Sequence, residues 1–319
     1  MAKVLVTGGA GFIGSHIVDS VCKDKFDTAI VVDINLKPNL KAKSRDYNLW
    51  ISSGGYINKS ARYYGLDITD FASMINLFEL TQPQYVIHCA ALARIQPSLQ
   101  NPVETYRTNV LGTVNLLEAS RRVGVKKFIY SGSSSAYGAN TKMPLKETMK
   151  PEPLNPYAYS KLMAEMATRQ YVKNFGLKAT ILRYFNVYGP GQPSEGQYAT
   201  VIGIFLRQLK NNEPFTIVPD GNQSRDFTWV GDVVRANILA MESDKVNNGE
   251  VINIGSGKNY SILEIADIIG GNDYPRKMIE PRIGEAKETL AHISKAKKLL
   301  DWEPKMSFEK GIEILKINC

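Results

Sequence analysis

Tyr157 and Lys161 stand four residues apart in a segment, residues 156–175, that is predicted to be helical. Residues at this spacing lie on one face of a helix, so the phenol and the ammonium can enter the same cleft. A free phenol has a pKa of about 10 and is a poor base at neutral pH, but a nearby cation favours its phenolate. The pair is therefore suited to removing the proton of a substrate hydroxyl.

A serine-rich turn, residues 131–135 (SGSSS), lies at the end of a predicted strand over residues 127–131. Open parallel sheets bind ligands at the carboxyl ends of their strands. A serine hydroxyl at this edge can hydrogen-bond the substrate oxygen while Tyr157 removes its proton. Serine-rich loops are also common as plain turns, so the functional interpretation of this segment depends on Tyr157.

A glycine-rich segment, TGGAGFIG, joins the first predicted strand (residues 3–7) to the first predicted helix (residues 14–23). Such glycines permit a tight turn, let the backbone approach a pyrophosphate and allow the helix to pack closely on the strand. The helix N-terminus then presents its partial positive charge to the phosphates. Because the motif lies between a strand and a helix, it predicts a dinucleotide site. The GxxGxxG pattern runs through Gly8, Gly11 and Gly14.

Asp33 ends the second predicted strand, residues 29–33, nineteen residues after Gly14. A carboxylate at this position can accept hydrogen bonds from both hydroxyls of a ribose and would repel a 2′-phosphate. The residue therefore favours NAD over NADP, although the cationic Lys37 lies nearby. The glycine motif by itself does not separate NAD from FAD.

Predicted strands and helices alternate along most of the chain, which is the pattern of a parallel sheet covered on both faces. We therefore predict an α/β fold, a Rossmann-type doubly wound parallel sheet, with a smaller C-terminal mixed α/β domain for the substrate. Residues 35–61 are a long polar excursion between two strands. The NAD-binding domain is predicted to comprise residues 1–183 and about 224–256, and the substrate domain about 184–223 and 257–319. The remaining predicted strands are 63–66, 85–89, 179–183 and 250–254, the remaining helices 70–81, 101–123, 201–211, 230–241, 261–269 and 294–301, and residues 188–197 are predicted loop.

The composition is that of an ordinary globular protein. Of 319 residues, 44% are hydrophobic and 22% are charged, and no apolar run is long enough to span a bilayer. The net charge of +8 comes from basic residues interleaved with acids, which argues against a nucleic-acid partner. The three cysteines and three histidines are scattered, so we expect no metal site and a reducing, cytoplasmic location.

With these motifs the chain resembles the extended short-chain dehydrogenases/reductases, and most closely the nucleotide-sugar 4-epimerases typified by UDP-glucose 4-epimerase. The resemblance runs essentially from end to end. Beyond the glycine, serine and tyrosine motifs, it is carried by Asp67-Ile68, His88-Cys89-Ala90-Ala91, Asn109-Val110-Leu111-Gly112-Thr113, Leu182-Arg183-Tyr184-Phe185-Asn186-Val187-Tyr188-Gly189-Pro190, Arg225-Asp226-Phe227 and Pro281-Arg282-Ile283-Gly284-Glu285.

The resemblance implies a mechanism. Tyr157 takes the proton of the sugar 4-hydroxyl, Ser133 holds that oxygen, and hydride passes from C4 of the sugar to NAD. The 4-keto sugar then turns over in the pocket and receives the hydride on its other face, so that NAD is regenerated. Lys161 reaches the nicotinamide ribose and ties the base to the cofactor.

The resemblance also implies which residues bind the two ligands. Asp67 and Ile68 are expected at the adenine of NAD, and Asn186 with two arginines at the nucleotide diphosphate, because each arginine offers a planar fork of donors. The implied NAD-binding residues are Gly8, Gly11, Phe12, Ile13, Gly14, Asp33, Asp67, Ile68, Ala90, Ala91, Asn109, Tyr157, Lys161 and Tyr184. The implied sugar-nucleotide residues are Ser133, Ser134, Tyr157, Asn186, Tyr198, Arg225, Arg282 and Thr289.

Several reactions are known on this fold, and the serines separate them. Related dehydratases carry Thr-Asp-Glu where this chain has residues 133–135 (SSS), and their elimination step needs those carboxyls as acid and base. Related decarboxylases tend to carry Glu at the position of Ser135. Epimerisation, which needs only the tyrosine, serine, lysine and NAD, is therefore favoured over an NDP-sugar dehydratase or reductase. A non-catalytic NAD-sensing protein is disfavoured by the intact Tyr157, Lys161 and Ser133.

The substrate and the assembly are the finer predictions. In hexose epimerases a tyrosine at the position of Thr289 restricts the pocket, so the resemblance implies room for the N-acetyl forms of UDP-glucose and UDP-galactose. A UDP-uronic acid is the main competitor, because Arg94 could meet a carboxylate. In relatives the helices at 101–123 and 156–175 form a homodimer interface, and the alternative is that their apolar faces only pack on the sheet.

Overall fold

The computed structural model describes residues 2–23, 28–36, 57–281 and 283–317. The first part of the chain alternates between strands and helices. Its elements are β1 (Lys3–Thr7), α1 (Phe12–Lys23), β2 (Thr28–Val32), β3 (Arg62–Tyr64), α2 (Phe71–Thr81), β4 (Tyr85–His88), α3 (Ile95–Gln100), α4 (Pro102–Tyr106), a π-helical turn (Arg107–Leu111), α5 (Gly112–Val123), β5 (Lys127–Ser133), a 3₁₀ turn (Ser134–Tyr137), α6 (Pro156–Phe175) and β6 (Ala179–Tyr184).

The remaining part has shorter strands. Its elements are β7 (Val187–Tyr188), a 3₁₀ turn (Gly196–Tyr198), α7 (Val201–Lys210), β8 (Phe215–Ile217), β9 (Ser224–Asp226), β10 (Thr228–Trp229), α8 (Val230–Glu242), β11 (Asn248–Ile254), β12 (Asn259–Ser261), α9 (Ile262–Gly270), β13 (Arg276–Met278), α10 (Ser294–Leu300) and α11 (Phe308–Ile317).

The main sheet of the described residues has seven parallel strands in the spatial order β3-β2-β1-β4-β5-β6-β11. The strand order reverses next to β1, since β2 follows on one side and β4 on the other. Open α/β sheets bind ligands in the crevice at such a switch point, outside the carboxyl ends of the strands. The predicted Rossmann-type doubly wound sheet is thus confirmed.

Side chains of alternate residues along the strands pack on opposite faces of the sheet. In β1, Val4 and Val6 join an apolar cluster with α1 and α8, whereas Leu5 joins a second cluster with α2 and α5. Both clusters are almost fully shielded from solvent. The sheet is therefore covered on both faces, as parallel strands require.

A third apolar cluster lies apart from the sheet, among α7, β8, α9 and α11. The rings of Phe205 and Phe215 stack there with centres 4.6 Å apart, and Phe308 packs against Phe227 and Tyr260. This cluster gives the smaller C-terminal lobe a core of its own, as predicted. The residue boundaries of the two predicted domains stay predictions.

Two local predictions are corrected by the structure. Residues 101–123 do not form one regular α-helix, because a π-helical turn, Arg107–Leu111, separates α4 from α5. π-helical turns occur often at functional sites, and this one carries Asn109. The predicted loop over residues 188–197 is shorter at both ends in the structure, since Tyr188 belongs to β7 and a 3₁₀ turn begins at Gly196. Most of the predicted excursion at 35–61 lies outside the described residues.

Candidate active site

The glycine loop between β1 and α1 depends on close approaches that a side chain would prevent. Gly8 has a φ of +66°, and a Cβ at this residue would lie 2.7 Å from the amide nitrogen of Ala90. A Cβ on Gly14 would overlap the carbonyl oxygen of Gly8. The amide of Gly11 donates to that same carbonyl, 3.0 Å away. The loop therefore brings bare backbone and the N-terminus of α1 to the switch point of the sheet, where a pyrophosphate can bind.

The carboxylate of Asp33 lies directly after β2, beside this loop. Its two oxygens accept hydrogen bonds from the amides of Ala10 and Asn35, each 3.0 Å away. Burial raises the pKa of Asp33, and the two amides oppose that rise. The carboxylate is thus fixed in place at the edge of the cleft, which supports the prediction that it accepts hydrogen bonds from the ribose hydroxyls.

The first turn of α6 carries Tyr157, and its backbone is held by three hydrogen bonds. The side chain of Asn155 caps the helix by accepting from the amide of Ala158, 2.9 Å away. The amide of Tyr157 donates to the hydroxyl of Ser98 in α3, 3.1 Å away, and its carbonyl accepts from the hydroxyl of Ser160, 2.8 Å away. The backbone of the predicted base is therefore fixed from both the helix and its neighbour.

Lys161 lies one helical turn after Tyr157 and is almost completely buried. Its ammonium lies 4.9 Å from the centre of the Tyr130 ring, a cation–π contact. Burial lowers the pKa of Lys161 to about 8. Burial also raises the pKa of Tyr157, while the hydroxyl of Ser133 and the charge of Arg94 lower it. In this poorly solvated pocket, deprotonation of the phenol depends on neighbouring donors and cations.

Ser133 ends β5 and is the N-cap of the 3₁₀ turn that follows. Its hydroxyl oxygen accepts hydrogen bonds from the amide of Ser135, 3.2 Å away, and from the hydroxyl of Ser135, 2.8 Å away. Since Ser135 supplies both donors, the proton of Ser133 is left for the phenol of Tyr157 or for a substrate oxygen. This arrangement supports the role that was predicted for Ser133.

A buried chain of hydrogen bonds crosses the carboxyl ends of β4, β5 and β6. The hydroxyl of Tyr184 donates to the side-chain carbonyl of Asn237, 2.9 Å away, so it accepts from the hydroxyl of Ser131, 3.1 Å away. Ser131 in turn accepts from the thiol of Cys89, 3.2 Å away. Burial raises the pKa of Cys89 to about 11, so the thiol keeps its proton. Each group therefore donates to the next one, from Cys89 through Ser131 and Tyr184 to Asn237.

The hydroxyl of Thr289 accepts hydrogen bonds from two neighbouring groups of the C-terminal lobe. The side-chain amide of Asn186 donates to the carbonyl of Asp226, 2.9 Å away, and to the hydroxyl of Thr289, 3.3 Å away. The amide of Asp226 donates to the same hydroxyl, 3.3 Å away. Thr289 is buried, and its short side chain forms part of the cleft wall.

Arg225 is held by the backbone and by one carboxylate. Its guanidinium donates to the carbonyls of Ser224 and Lys287, 2.9 and 3.1 Å away. It also forms an ion pair with Glu285, with 3.4 Å between nitrogen and oxygen. Burial lowers the pKa of Arg225, and Glu285 opposes that change. Because Glu285 neutralises the arginine, a diphosphate that binds Arg225 has to compete with this carboxylate.

One cleft of about 1290 Å³ connects the glycine loop, the Tyr157 region and the C-terminal lobe. Arg282 lies outside the described residues, so the structure does not bear on its predicted contact. The predicted site residues that line the cleft are Gly8, Gly11, Phe12, Ile13, Gly14, Asp33, Asp67, Ile68, Ala90, Ala91, Ser133, Ser134, Tyr157, Lys161, Tyr184, Asn186, Tyr198, Arg225 and Thr289.

Asn109 is buried behind the cleft wall. Its side-chain amide donates to the carbonyl of Leu92 and to the hydroxyl of Ser160, 3.0 and 2.9 Å away, and its oxygen accepts from the amide of Leu92, 2.8 Å away. The residue thus ties the loop after β4 to α6. Its contact with NAD stays a prediction, and its visible role is to position that loop.

Three residues of the cleft region carry contacts that the sequence did not predict. Ser98 supports the amide of Tyr157, Glu285 pairs with Arg225, and Arg94 donates from Nε to the carbonyl of Tyr198, 3.0 Å away. Ser98 belongs to a helix too short to show a periodic pattern. The partners of Glu285 and Arg94 lie 60 and 104 residues away in the chain.

Within the described part of the chain, no group of three His, Cys, Asp or Glu side chains is placed to hold a metal ion. His88 instead packs between the hydroxyls of Thr7 and Thr113, 2.7 and 2.9 Å away, and burial lowers its pKa to about 3. No helix among the described residues is long and apolar enough to cross a membrane.

The model of one protein family, described as the NAD dependent epimerase/dehydratase family, matches residues 4–255. This span includes the glycine loop, Asp33, Ser133 and the Tyr157–Lys161 pair. The chain belongs to the NAD dependent epimerase/dehydratase family. The resemblance inferred from the motifs is therefore confirmed.

Full-length relatives within this epimerase/dehydratase family share about a third of their residues with the chain. A putative UDP-glucose 4-epimerase of Methanocaldococcus jannaschii is 36% identical over 97% of this chain and 96% of its own length. A UDP-glucuronate 4-epimerase of Thermodesulfobacterium geofontis is 35% identical over 98% of this chain and 94% of its own length. The crystal structure of UDP-glucose 4-epimerase from Thermotoga maritima, with UDP-glucose, superposes with a TM-score of 0.89 at 39% identity, over 99% of this chain and 98% of that one.

As a member of this epimerase/dehydratase family, the protein is an enzyme, and its cofactor is NAD. The residues at the switch point fit this cofactor. Gly8 and Gly14 permit the close backbone packing that brings the loop and the N-terminus of α1 to the switch point, and Asp33 offers fixed carboxylate oxygens rather than a cation for the adenosine ribose. A carboxylate at this edge repels the 2′-phosphate of NADP, so the predicted preference for NAD agrees with the local charge.

Proposed function

We propose that this protein catalyses epimerisation at C4 of a UDP-hexose through a transient 4-keto sugar. The observation that carries the proposal is the convergence of Ser133, Tyr157 and Lys161 on one cleft that also reaches Asp33 and Arg225. The glycine loop and Asp33 would hold NAD, and bound NAD would supply a reversible hydride acceptor for C4 of the sugar. Because the hydride is returned, the proposed cycle carries out no net redox reaction.

The side chains of the enzyme then have separate tasks. The phenolate oxygen of Tyr157 takes the proton of the 4-hydroxyl and later gives it back. Ser133 donates a hydrogen bond to that oxygen, because its own acceptor sites are filled by Ser135. Lys161 supplies positive charge one helical turn away, and Asn186 with Arg225 holds the nucleotide diphosphate. The serines at 133–135 offer no carboxyl for a dehydration step, so a dehydratase or reductase is the weaker alternative.

We propose that the sugar pocket accepts UDP-glucose and UDP-galactose and also their N-acetyl forms. Thr289 supports this proposal because its side chain is short and is drawn toward Asn186 and the amide of Asp226. A tyrosine at this position would project a ring into the cleft, whereas threonine leaves that space open. The C2 substituent of the sugar would occupy it.

A UDP-uronic acid is the second candidate substrate. Two observations favour it: Arg94 lines the cleft, and a UDP-glucuronate 4-epimerase is among the similar relatives. A guanidinium can bind a carboxylate through two parallel hydrogen bonds. The neutral hexoses remain the first candidate, since Arg94 already donates to the carbonyl of Tyr198.

We further propose that the enzyme is a homodimer located in the cytoplasm. Large apolar side chains stand exposed on α4, the π-helical turn and α6, the helices that were predicted to form the interface. The cytoplasmic location rests on the sparse cysteines, of which Cys22 and Cys89 are unpaired thiols among the described residues. The exposed apolar residues are Val103, Leu111, Tyr159, Met163 and Met166.

A substrate panel tests the proposed reaction. Purified enzyme is incubated with UDP-glucose, UDP-N-acetylglucosamine and UDP-glucuronate, and the products are identified by NMR. We expect the C4 epimer of the first two, with no free NADH and no loss of water or carbon dioxide. Tyr157→Phe serves as the negative control, since it removes the base and leaves the fold. Turnover of UDP-glucose without any turnover of UDP-N-acetylglucosamine would contradict the proposal that the pocket accepts the N-acetyl sugars.

Thr289→Tyr is the matched variant for the pocket. Its ring should exclude the acetamido group, so activity on UDP-N-acetylglucosamine should fall at least about tenfold, a difference of about 1.4 kcal/mol. Activity on UDP-glucose should change much less and reports that the variant is folded. Equal losses on both substrates would mean that position 289 does not select at C2.

A further inference from the structure

We propose that Arg94 is a positioning residue of the catalytic apparatus, which keeps a permanent positive charge beside Tyr157 and ties the base to the loop of Tyr198. The inference rests on the proposed function, in which Tyr157 acts as the base. It concerns a residue that the mechanism above does not use. Arg94 lies in the loop between β4 and α3, lines the cleft and is half-buried.

The backbone of Arg94 has a conformation that side chains disfavour. Its φ is +124° and its ψ is 144°, a region of backbone space that is essentially confined to glycine. A loop without further demands on this position would be better served by glycine. Strain of this kind persists where the surrounding structure fixes it and is concentrated at functional sites. The arginine side chain therefore has a use that outweighs the strain.

Arg94 and Tyr157 line the same cleft, and two contacts describe how Arg94 is linked to the groups around it. Arg94 immediately precedes α3, and Ser98 of that short helix accepts the hydrogen bond from the amide of Tyr157, 3.1 Å away. On its other side, Nε of Arg94 donates to the carbonyl of Tyr198, 3.0 Å away. Tyr198 belongs to the 3₁₀ turn that leads into α7 of the C-terminal lobe. Arg94 thus ties the turn at Tyr198 to the loop that leads into α3, and Ser98 of α3 contacts the first turn of α6.

The other groups around the phenol supply little permanent charge. Lys161 is the one cation on α6 within a turn of Tyr157, and its pKa is only about 8 because it is buried. The guanidinium of Arg94 keeps its proton at any working pH, and its charge lowers the pKa of Tyr157. The remaining groups supply no net charge near neutral pH. Cys89, which follows β4, His88 in β4 and Tyr130 in β5 are neutral, and Arg225 of the C-terminal lobe is paired with Glu285.

This arrangement gives Arg94 a role that Lys161 cannot fill alone. Near pH 8 a growing share of Lys161 is neutral, and a neutral amine no longer favours the phenolate. An arginine is unaffected by the same change in pH. With Arg94 in place, the base stays activated over the range in which its lysine partner loses charge.

The test is a direct titration of Tyr157 in the holoenzyme. The near-ultraviolet absorbance of the phenolate is followed against pH, with Tyr157→Phe in the same background as the baseline. Arg94→Gly and Arg94→Met should raise the pKa of Tyr157 by about one unit, whereas Arg94→Lys should keep it near the wild-type value. Turnover at a pH below that pKa should fall about tenfold for each unit of the rise. This titration needs no turnover, so it remains readable even if no UDP-sugar is epimerised.

Stability separates this role from a structural one. Arg94→Gly removes the strained side chain and should leave the melting temperature unchanged or higher while turnover falls. Asn212→Gly is the matched control, because Asn212 is exposed, also has a positive φ of 55° and is not among the residues that line the cleft. It should raise stability without altering the titration or the rate.

Three results would overturn the proposal. The first is an unchanged titration of Tyr157 in Arg94→Gly. The second is Arg94→Lys behaving like Arg94→Met, since charge would then not be the cause. The third is an Arg94 variant that only raises the KM for UDP-glucuronate and leaves the pKa of Tyr157 unchanged, because Arg94 would then bind the sugar carboxylate instead.

Discussion

At the scale of single residues, the site places ionisable groups where water has poor access. Lys161 is nearly fully buried, and its ammonium lies over the face of Tyr130, while no carboxylate among the described residues forms an ion pair with it. A buried charge without a countercharge costs folding free energy. In the proposed mechanism the same charge favours the phenolate of Tyr157. The proposed role of Lys161 in catalysis thus comes at a cost in stability.

This cost predicts that Lys161→Met stabilises the NAD-free protein while abolishing turnover. A fall of the lysine pKa from 10.5 to about 8 corresponds to about 3 kcal/mol. The folded pKa lies below the unfolded one, so the penalty is fully present below pH 8 and fades as the pH rises toward 10.5. Urea denaturation should show a higher free energy of unfolding for the variant at about pH 7 and a smaller difference at about pH 10.

Lys245→Met is the matched control, because Lys245 is exposed in the turn that follows α8. Removing a solvated charge should change the free energy of unfolding by no more than about 0.5 kcal/mol. A gain of equal size in both variants would attribute the effect to the methionine side chain and not to the buried charge.

At the scale of elements, the start of α6 joins the base to the predicted diphosphate site. Asn155 caps the helix through the amide of Ala158, and its own side-chain amide donates to the carbonyl of Gly284, 2.9 Å away. One side chain therefore sets both the position of Tyr157 and that of the segment around Gly284. A defect at this cap should affect catalysis as well as stability.

Asn155→Ala is expected to lower the free energy of unfolding by about 1 kcal/mol, the usual cost of a lost N-cap. It should also lower kcat and raise the KM for the nucleotide sugar, because both tethered segments gain freedom. Ser261→Ala is the control, since Ser261 caps α9 through a reciprocal pair of hydrogen bonds with Glu264. Chemical denaturation should show a similar loss for both variants, and steady-state kinetics should show a defect only for Asn155→Ala. Unchanged kinetics in both would remove the link between this cap and the site.

The same scale shows what the sequence can and cannot predict. The glycine loop, the Asp33 position and the Tyr157–Lys161 pair follow from local patterns, because strand-to-helix placement and helical spacing determine their geometry. β8, β9 and β13 have only three residues each, and they exist because distant segments pair with them. The π-helical turn around Asn109 and the Arg94–Tyr198 contact likewise depend on partners far along the chain. Long-range pairing leaves no local signal.

At the scale of the whole molecule, the cleft lies between the sheet with its helix α6, which carries Tyr157, and a lobe that carries Arg225. The apolar cores on the two faces of the sheet are distinct from the core around Phe205 and Phe215. Groups from both parts meet across the cleft, as in the hydrogen bond from Arg94 to Tyr198. The cleft therefore contains contacts that neither part of the chain supplies by itself.

The outer face of α4 and α6 carries the last prediction, which concerns assembly. Val103 and Met166 are 76% and 60% exposed, and large apolar side chains clustered on neighbouring helices mark an interaction surface. Met166→Glu places a charge in the proposed dimer interface, where an unpaired charge is costly, and should convert the dimer into a monomer in size-exclusion chromatography with light scattering. Leu80→Glu is the control, because Leu80 is 73% exposed on α2, outside this surface, and should leave the mass unchanged. A wild-type protein that elutes as a monomer would show that these side chains serve another contact.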